Sequence, residues 1–321
     1  MNNWWKLLVI EEELSDYYDI AIVIPTLNEE SGIAPTISAI KEAIGTKYSF
    51  KIVVVDGLST DQTVDIARSM GAKVIRQRRR GYGDALQAGF YFVDTKFKTA
   101  VTVMIDADGT YEPRDIAKMA DVIISGQADF VIGNRFANMG KDAMNKTNRI
   151  GNKVLSNIAR RLLNIPVSDS QCGLRAFRSD LANIFYNTTL GMPFATEMLT
   201  AINMYHIRIK EIPTSYYKRV GDTKLNPIQD GTRILSTIIR LVRDTRPLFF
   251  FGIAGLAMIL LGAFFGVEVL IEYLKTGVVG KVPTTILSVL LIVLGVQSIS
   301  LGLISDMIKN KNQDKRVFFS E

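Results

Sequence analysis

Asp106, Ala107 and Asp108 follow the apolar run 101–105 and precede Gly109 and Thr110. Two carboxylates two residues apart at a strand end can share a divalent cation. Such a cation neutralises a diphosphate leaving group as charge builds on its oxygen. The same triplet in an ordinary surface loop would only be solvated, so the apolar run before it carries the inference. Asp56 closes a second apolar run, 51–55, ahead of Gly57, Ser59 and Asp61. A carboxylate there can hydrogen-bond a nucleobase or ribose, and Asp61 is placed to cap the next helix. Pro25, Thr26, Leu27, Asn28 and Glu29 end a first run and bring polar atoms to the same edge. Arg78, Arg79, Arg80, Gly81, Tyr82 and Gly83 make a basic, glycine-bearing turn suited to phosphate oxygens. They form neither a G-x-G-x-x-G nor a Walker loop.

Composition narrows the chemistry. His206 is the single histidine and Cys172 the single cysteine, so a multi-histidine metal site and an intrachain disulfide are both excluded. A metal here would be held by oxygen, which suits Mg2+ or Mn2+. Cys172 reads as a small buried residue rather than a nucleophile. The formal charge of +6 fits an anionic membrane or an anionic substrate. No nucleic-acid-binding signature is present, and no nucleic-acid partner is expected.

These residues need a scaffold. Short apolar strands at 20–24, 51–55, 72–75, 100–105, 128–132 and 207–212 alternate with helical segments at 31–44, 61–70, 84–93, 113–124 and 148–163. That alternation predicts an α/β fold with a mostly parallel sheet covered on both faces. Ligands of such sheets bind at the carboxyl ends of the strands, where Asp56 and Asp106 fall.

The hydrophobic excess is concentrated late in the chain. Residues 248–274 and 284–308 each exceed the roughly 20 apolar residues that cross a bilayer. Arg240, Arg243 and Arg246 precede the first, and Lys309, Lys311, Lys315 and Arg316 follow the second. The positive-inside rule then puts both flanks and the catalytic domain in the cytoplasm. The segment 232–244 reads as a basic amphipathic helix, with Ile234, Leu235, Ile238, Leu241 and Val242 on its apolar face. The expected organisation is an N-terminal segment 1–19, a catalytic domain 20–226, an amphipathic juxtamembrane helix 227–247, a transmembrane hairpin 248–308 and a basic tail 309–321. The N-terminal segment is either an interfacial helix or one packed on the domain.

The ordered set Pro25-Thr26-Leu27-Asn28-Glu29, Val55-Asp56-Gly57, Arg80-Gly81-Tyr82-Gly83-Asp84 and Asp106-Ala107-Asp108-Gly109 resembles the family-two glycosyltransferases of GT-A (Rossmann-like) fold. Gly133-Asn134-Arg135, Asp169-Ser170-Gln171-Cys172-Gly173-Leu174-Arg175 and Arg219-Val220-Gly221-Asp222-Thr223-Lys224 resemble the dolichyl-phosphate mannose synthase and polyprenyl-phosphate glucosyltransferase group. The resemblance implies that Pro25, Leu27, Glu29, Val54 and Asp56 contact the nucleoside. It implies that Asp106 and Asp108, with the intervening Ala107, hold metal and donor, and that Thr110 stands where relatives carry a further ligand. Arg219 and Lys224 would cover the donor diphosphate. Arg135 and Arg149 would grip the acceptor phosphate. Asp169 would either orient the acceptor or bond Arg175, with Glu197 a lesser candidate of the same kind.

The implied activity is inverting transfer of a hexose from a nucleotide-sugar to dolichyl or polyprenyl phosphate. The donor could be UDP-glucose, UDP-N-acetylglucosamine or GDP-mannose. The implied partners are donor, acceptor and membrane lipids, with a homo-oligomer left open. The implied place is the plasma membrane of an archaeon or other prokaryote. A polysaccharide synthase is disfavoured because no Gln-x-x-Arg-Trp-type motif follows Asp108. A non-catalytic scaffold is disfavoured by the intact carboxylates and arginines.

Overall fold

The computed structural model describes residues 16–77, 79, 81–186, 191–220 and 227–317. The N-terminal stretch 1–15, Arg78, Arg80 and Lys224 therefore lie outside the described residues, and with them the N-terminal helix and part of the basic turn.

The chain forms two compact units, 1–237 and 238–321. The first is built on a seven-stranded sheet. Its strands are β1 (Asp16–Thr26), β2 (Phe50–Asp56), β3 (Lys73–Arg76), β4 (Phe97–Met104), β5 (Phe130–Met139), β6 (Arg175–Arg178) and β7 (Ile209–Tyr216), in the order β3-β2-β1-β4-β6-β5-β7. Ile20, Ala21, Ile22, Val23 and Ile24 of β1 are all fully buried, because both faces of this central strand are covered. β1 runs parallel to β2 and β4, with Thr26 opposite Asp56 and Val23 opposite Met104. That register brings the ends of three strands to one edge and places the segments after Pro25, Asp56 and Met104 there together.

The helices are α1 (Glu30–Ile44), α2 (Thr63–Ser69), α3 (Tyr82–Lys96), α4 (Arg114–Ile124), α5 (Lys146–Leu163), α6 (Phe194–Met204) and α7 (Pro227–Thr245). α3 approaches the sheet closely at Gly89, where a Cβ would lie 2.4 Å from Val23 Cγ1 and 2.9 Å from Val55 Cγ2. α5 is capped by Asn145, whose side chain accepts from the Asn148 N–H at 2.8 Å.

The predicted elements are present with shifted ends, and three were not predicted. β6 lies antiparallel between β4 and β5. A 3-10 segment, Ser179–Phe185, and α6 follow it. Phe90 of α3 meets Phe177 edge-on at 5.0 Å, and Phe177 meets Phe185 at 5.1 Å, which fastens the 3-10 segment to the sheet. In α7 the buried row is Ile234, Ile238 and Val242, whereas Leu235 of the predicted apolar face is exposed.

The second unit contains α8 (Pro247–Thr276) and α9 (Val282–Val317). Both are long and apolar enough to cross a membrane, and only 11% of the α8 span and 17% of the α9 span is buried. A buried core helix would show the opposite. The two pack along small residues: a Cβ on Gly255 would fall 2.5 Å from Gly295 O, and Ser288 Oγ donates to Gly262 O at 2.7 Å.

Candidate active site

A cleft of about 1010 Å³ opens in the first unit at the carboxyl edge of the sheet. Pro25, Leu27 and Glu29 line it after β1, and Asp106, Ala107 and Asp108 line it after β4. Arg135 enters from β5, Gly173 precedes β6, and Tyr216 and Arg219 come from the end of β7 and beyond. One face of α5 forms a further wall.

The acidic wall is tied to the segment after β7. Asp108 Oδ1 accepts from Thr110 N–H at 3.1 Å and Thr110 Oγ1 at 2.6 Å. Asp108 Oδ2 accepts from Arg219 Nη1 at 2.9 Å, and Arg219 Nη2 also donates to Glu29. Backbone bonds from Tyr217 N–H to Thr110 O and Val220 N–H to Asp108 O hold the strand end beside the acidic loop. Asp106 accepts from Tyr82 Oη at 3.1 Å. Burial, and then the Asp108 charge, push the Asp106 carboxyl up to about 7. Gly173 packs against it: a Cβ there would lie 2.5 Å from Asp106 Oδ2 and 3.1 Å from Tyr111 Oη.

The basic wall is fixed differently. Arg135 Nε donates to Asp169 Oδ2 at 2.7 Å and Nη2 to Oδ1 at 2.8 Å, while the Arg135 backbone N–H reaches Oδ2 at 3.1 Å. Both side chains are buried. Burial, the largest single effect, would lower the guanidinium pKa, but the Asp169 charge, the neighbouring Tyr111 and the Asp169 hydrogen bonds together outweigh it and hold the group well above its usual range. The Tyr216 ring lies 5.3 Å from the guanidinium carbon. Asp169 does not bond Arg175. Arg175 is fully buried and donates to the carbonyls of Cys172 (2.9 Å), Ala195 (2.6 Å) and Ser170 (2.9 Å). It thereby shapes the loop that carries Gly173.

At the cleft and just behind its lining, two buried acceptors have no hydrogen bond among the described residues. They are Asp56 Oδ2 and Gln77 Oε1. Asp56 Oδ1 accepts from Ser59 N–H at 3.0 Å, and Arg76 Nε lies 3.7 Å from Oδ2. Gln77 N–H donates to Asp56 O at 3.0 Å, which sets the residue after β3 beside the end of β2. Buried acceptors of this kind are rare in folded proteins and mark a place for a donor-bearing ligand.

Residues 21–185 match the family model described as glycosyl transferase family 2. The chain belongs to that family. Among relatives of this family-2 glycosyltransferase, the Haloferax volcanii protein named glycosyltransferase AglJ is 33% identical over 302 residues, covering 93% of this chain and 97% of the relative. A second Haloferax volcanii protein, named dolichyl-phosphate hexose transferase, is 35% identical, covering 71% of this chain and 96% of the relative. Glucosyl-3-phosphoglycerate synthase from Mycobacterium tuberculosis, solved with Mn2+, uridine diphosphate and glucosyl-3-phosphoglycerate, has a TM-score of 0.56 at 18% identity. It covers 70% of this chain and 80% of its own. That likeness is one of fold and supports the GT-A architecture.

The family-2 glycosyltransferase brings most expected residues to the cleft, but not all. Val54 is buried in β2 opposite Ile24, and Asp56 is fully buried at the end of β2; neither lines it. Asp169 stands behind Arg135. Thr110 turns its hydroxyl to Asp108. Arg149 is exposed on α5, and Glu197 lies on the first turn of α6 away from the lining. Gln77, Tyr82, Gly173 and Tyr216 had no expected role. Tyr82 and Gly173 stood inside quoted motifs, and only their contacts with Asp106 distinguish them. Gln77 and Tyr216 gave no signal, because their places depend on neighbouring strands.

The acidic wall fits a hard divalent cation. Its donors are all oxygen, and the raised Asp106 carboxyl marks an excess of negative charge in a dry place. No group of three or more His, Cys, Asp or Glu side chains suited to a metal occurs among the described residues. The protein would thus supply Asp106 and Asp108, leaving further positions to diphosphate oxygens and water, as is usual for Mg2+.

Proposed function

We propose that this enzyme transfers a hexose from a nucleotide-sugar to a dolichyl or polyprenyl phosphate, with inversion at the anomeric carbon. The observation that carries the reading is one cleft with a dicarboxylate edge on one wall and a rigidly held arginine on another. The name of the dolichyl-phosphate hexose transferase relative supports the acceptor class, and the two apolar helices suit a lipid-borne acceptor.

In this reading the base lies against Pro25 and Leu27, with Asp56 Oδ2 taking one of its N–H groups. Asp106 and Asp108 hold Mg2+ or Mn2+, which would stabilise charge on the departing diphosphate. Arg219, and Lys224 beyond it, cover the diphosphate. Arg135 binds acceptor phosphate oxygens and offsets their repulsion from the donor. Arg149, which lies outside the lining on the exposed side of α5, would have to swing toward the cleft to join it. Asp169 acts on Arg135 rather than on the reacting atoms. An acceptor oxygen forms the new bond to C1 as the C1–O bond to the diphosphate breaks, and the electron pair leaves with the nucleoside diphosphate. A phosphate monoester is largely dianionic at neutral pH, so no general base is required.

The test is a donor panel of UDP-glucose, UDP-N-acetylglucosamine and GDP-mannose with a short-chain polyprenyl phosphate. A lipid-linked sugar from one donor is the expected product. Transfer only to a non-lipid acceptor would refute the reading. The catalytic domain is expected on the cytoplasmic side, which external protease treatment of right-side-out vesicles would check by sparing it.

A further inference from the structure

The loop 169–174 runs between the two walls of the cleft and is anchored to both. Asp169 holds Arg135 of the basic wall, and Gly173 packs on the Asp106 carboxylate of the acidic wall. Gly173 N–H also donates to Tyr111 Oη at 2.6 Å, and Arg175 grips the Ser170 and Cys172 carbonyls. A loop so fixed holds its middle residue in place. That residue is Gln171, which lines the cleft.

The Gln171 amide is oriented by hydroxyls. Ser170 Oγ donates to Ser156 Oγ of α5 at 3.2 Å, so it meets Gln171 as an acceptor. Gln171 Nε2 donates to Ser170 Oγ at 2.9 Å and to Thr196 Oγ1 of α6 at 3.2 Å. Ser156, Ser170 and Thr196 are all buried. Both amide hydrogens are thus used on the protein, and a flipped amide would set Oε1 against the lone pairs of Ser170. Oε1 accepts from no described residue and is not sealed off by them, so the amide presents a fixed acceptor to the cleft.

Such an oxygen recognises a hydroxyl or an N–H, and it repels the oxygens of an ionised phosphate. On the nucleotide-sugar reading above, on which this assignment rests, the hexose lies between the metal-held diphosphate and the phosphate on Arg135. Gln171 stands midway along the loop that joins those two walls. We propose that Gln171 is a specificity-determining residue for the sugar: its Oε1 accepts a hydrogen bond from one hydroxyl of the donor hexose. Ser170 and Thr196 are positioning residues that keep the amide from turning.

The experiment is titration calorimetry on the full chain in detergent with Mn2+. UDP-glucose, UDP-N-acetylglucosamine and GDP-mannose are compared first, then the 2-, 3-, 4- and 6-deoxy analogues of the one that binds most tightly. One analogue is expected to bind about ten-fold more weakly than its parent, the scale of a single neutral hydrogen bond lost in a protein site. In Gln171→Leu that gap should close, because the parent loses the same bond. The free nucleoside diphosphate should bind Gln171→Leu as it binds the native protein. Thr196→Val leaves the sugar-facing oxygen in place and removes one anchor of the amide, so the gap should narrow for the same analogue. Thermal unfolding identifies which variants are folded, and Thr196→Val carries the test alone if Gln171→Leu is not.

A gap that persists in folded Gln171→Leu, or that is absent from the native protein, would overturn the proposal. So would an equal loss of affinity for the free nucleoside diphosphate, which would assign Gln171 to the ribose or to the loop itself. Both results would leave the nucleotide-sugar reading standing. Failure of all three donors to bind the native protein would instead refute that reading, and the role of Gln171 with it.

Discussion

Replacing Asp169 with asparagine tests what holds the basic wall. The carboxylate takes three hydrogen bonds from Arg135, at 2.7, 2.8 and 3.1 Å, inside the protein. An asparagine can keep its oxygen toward Arg135 N–H and Nε, but its amide nitrogen then faces the Nη2 donor. Arg135 is left buried without its counter-charge. Removing one partner of a buried pair costs about 3–5 kcal/mol. For a domain of this size each kcal/mol lowers Tm by about 2–4 °C, so a drop of roughly 6–20 °C is expected. Thermal unfolding in detergent, followed by intrinsic fluorescence, would read it. Donor binding should change far less than transfer, since Asp56, Asp106 and Asp108 lie on the other wall. An Asp169→Asn protein with unchanged Tm but no transfer would refute this reasoning and make the carboxylate a participant in the chemistry.

Gly173→Ala should lower donor and Mn2+ affinity at least about ten-fold while leaving the fold intact, because the new methyl displaces the Asp106 carboxylate; titration calorimetry would measure it. Asp108→Asn should abolish transfer, and near-normal activity in saturating Mg2+ or Mn2+ would remove Asp108 from the cation site. Gly255→Leu should separate α8 from α9, since even a Cβ would collide with Gly295 O at 2.5 Å; a lower melting temperature of the full chain in detergent is the expected result. Arg175→Met should cost about 1–3 kcal/mol or more, because three buried carbonyls lose their donor, and urea titration would show it.

The strands that build the site were legible for a physical reason. The second halves of β1, β2 and β4 are covered on both faces, so they read as apolar runs, broken only by the buried Thr102 of β4, and polar residues appear where the cover ends. That transition located Asp56 and Asp106. β6 was not legible because it is four residues long and has arginine at both ends. One of those arginines is buried, satisfied by carbonyls that other loops bring to it, and no local pattern encodes that arrangement. The pairing of Arg135 with Asp169 spans 34 residues and depends on β5 and the loop before β6 meeting in space. The sequence offered Arg175 as a nearer partner for Asp169, and distance along the chain proved a poor guide. α7 reads as one amphipathic stripe, but burial follows Ile234, Thr237, Ile238 and Val242, and Leu235 is exposed.

Arg219 gives the acidic wall a charge balance of its own. Its guanidinium sits between Asp108 and Glu29, so the free protein already holds one cation there. Under the proposed function an incoming metal ion must compete with that arginine, and the donor diphosphate is the group able to draw it away. Metal and nucleotide should therefore strengthen each other's binding by the same factor, as linkage requires. The expected signature is a Mn2+ dissociation constant that falls when nucleoside diphosphate is present, and a smaller change in Arg219→Ala. The enzyme would then assemble its cation site only around a donor, and metal alone at cellular concentration would leave it unarmed.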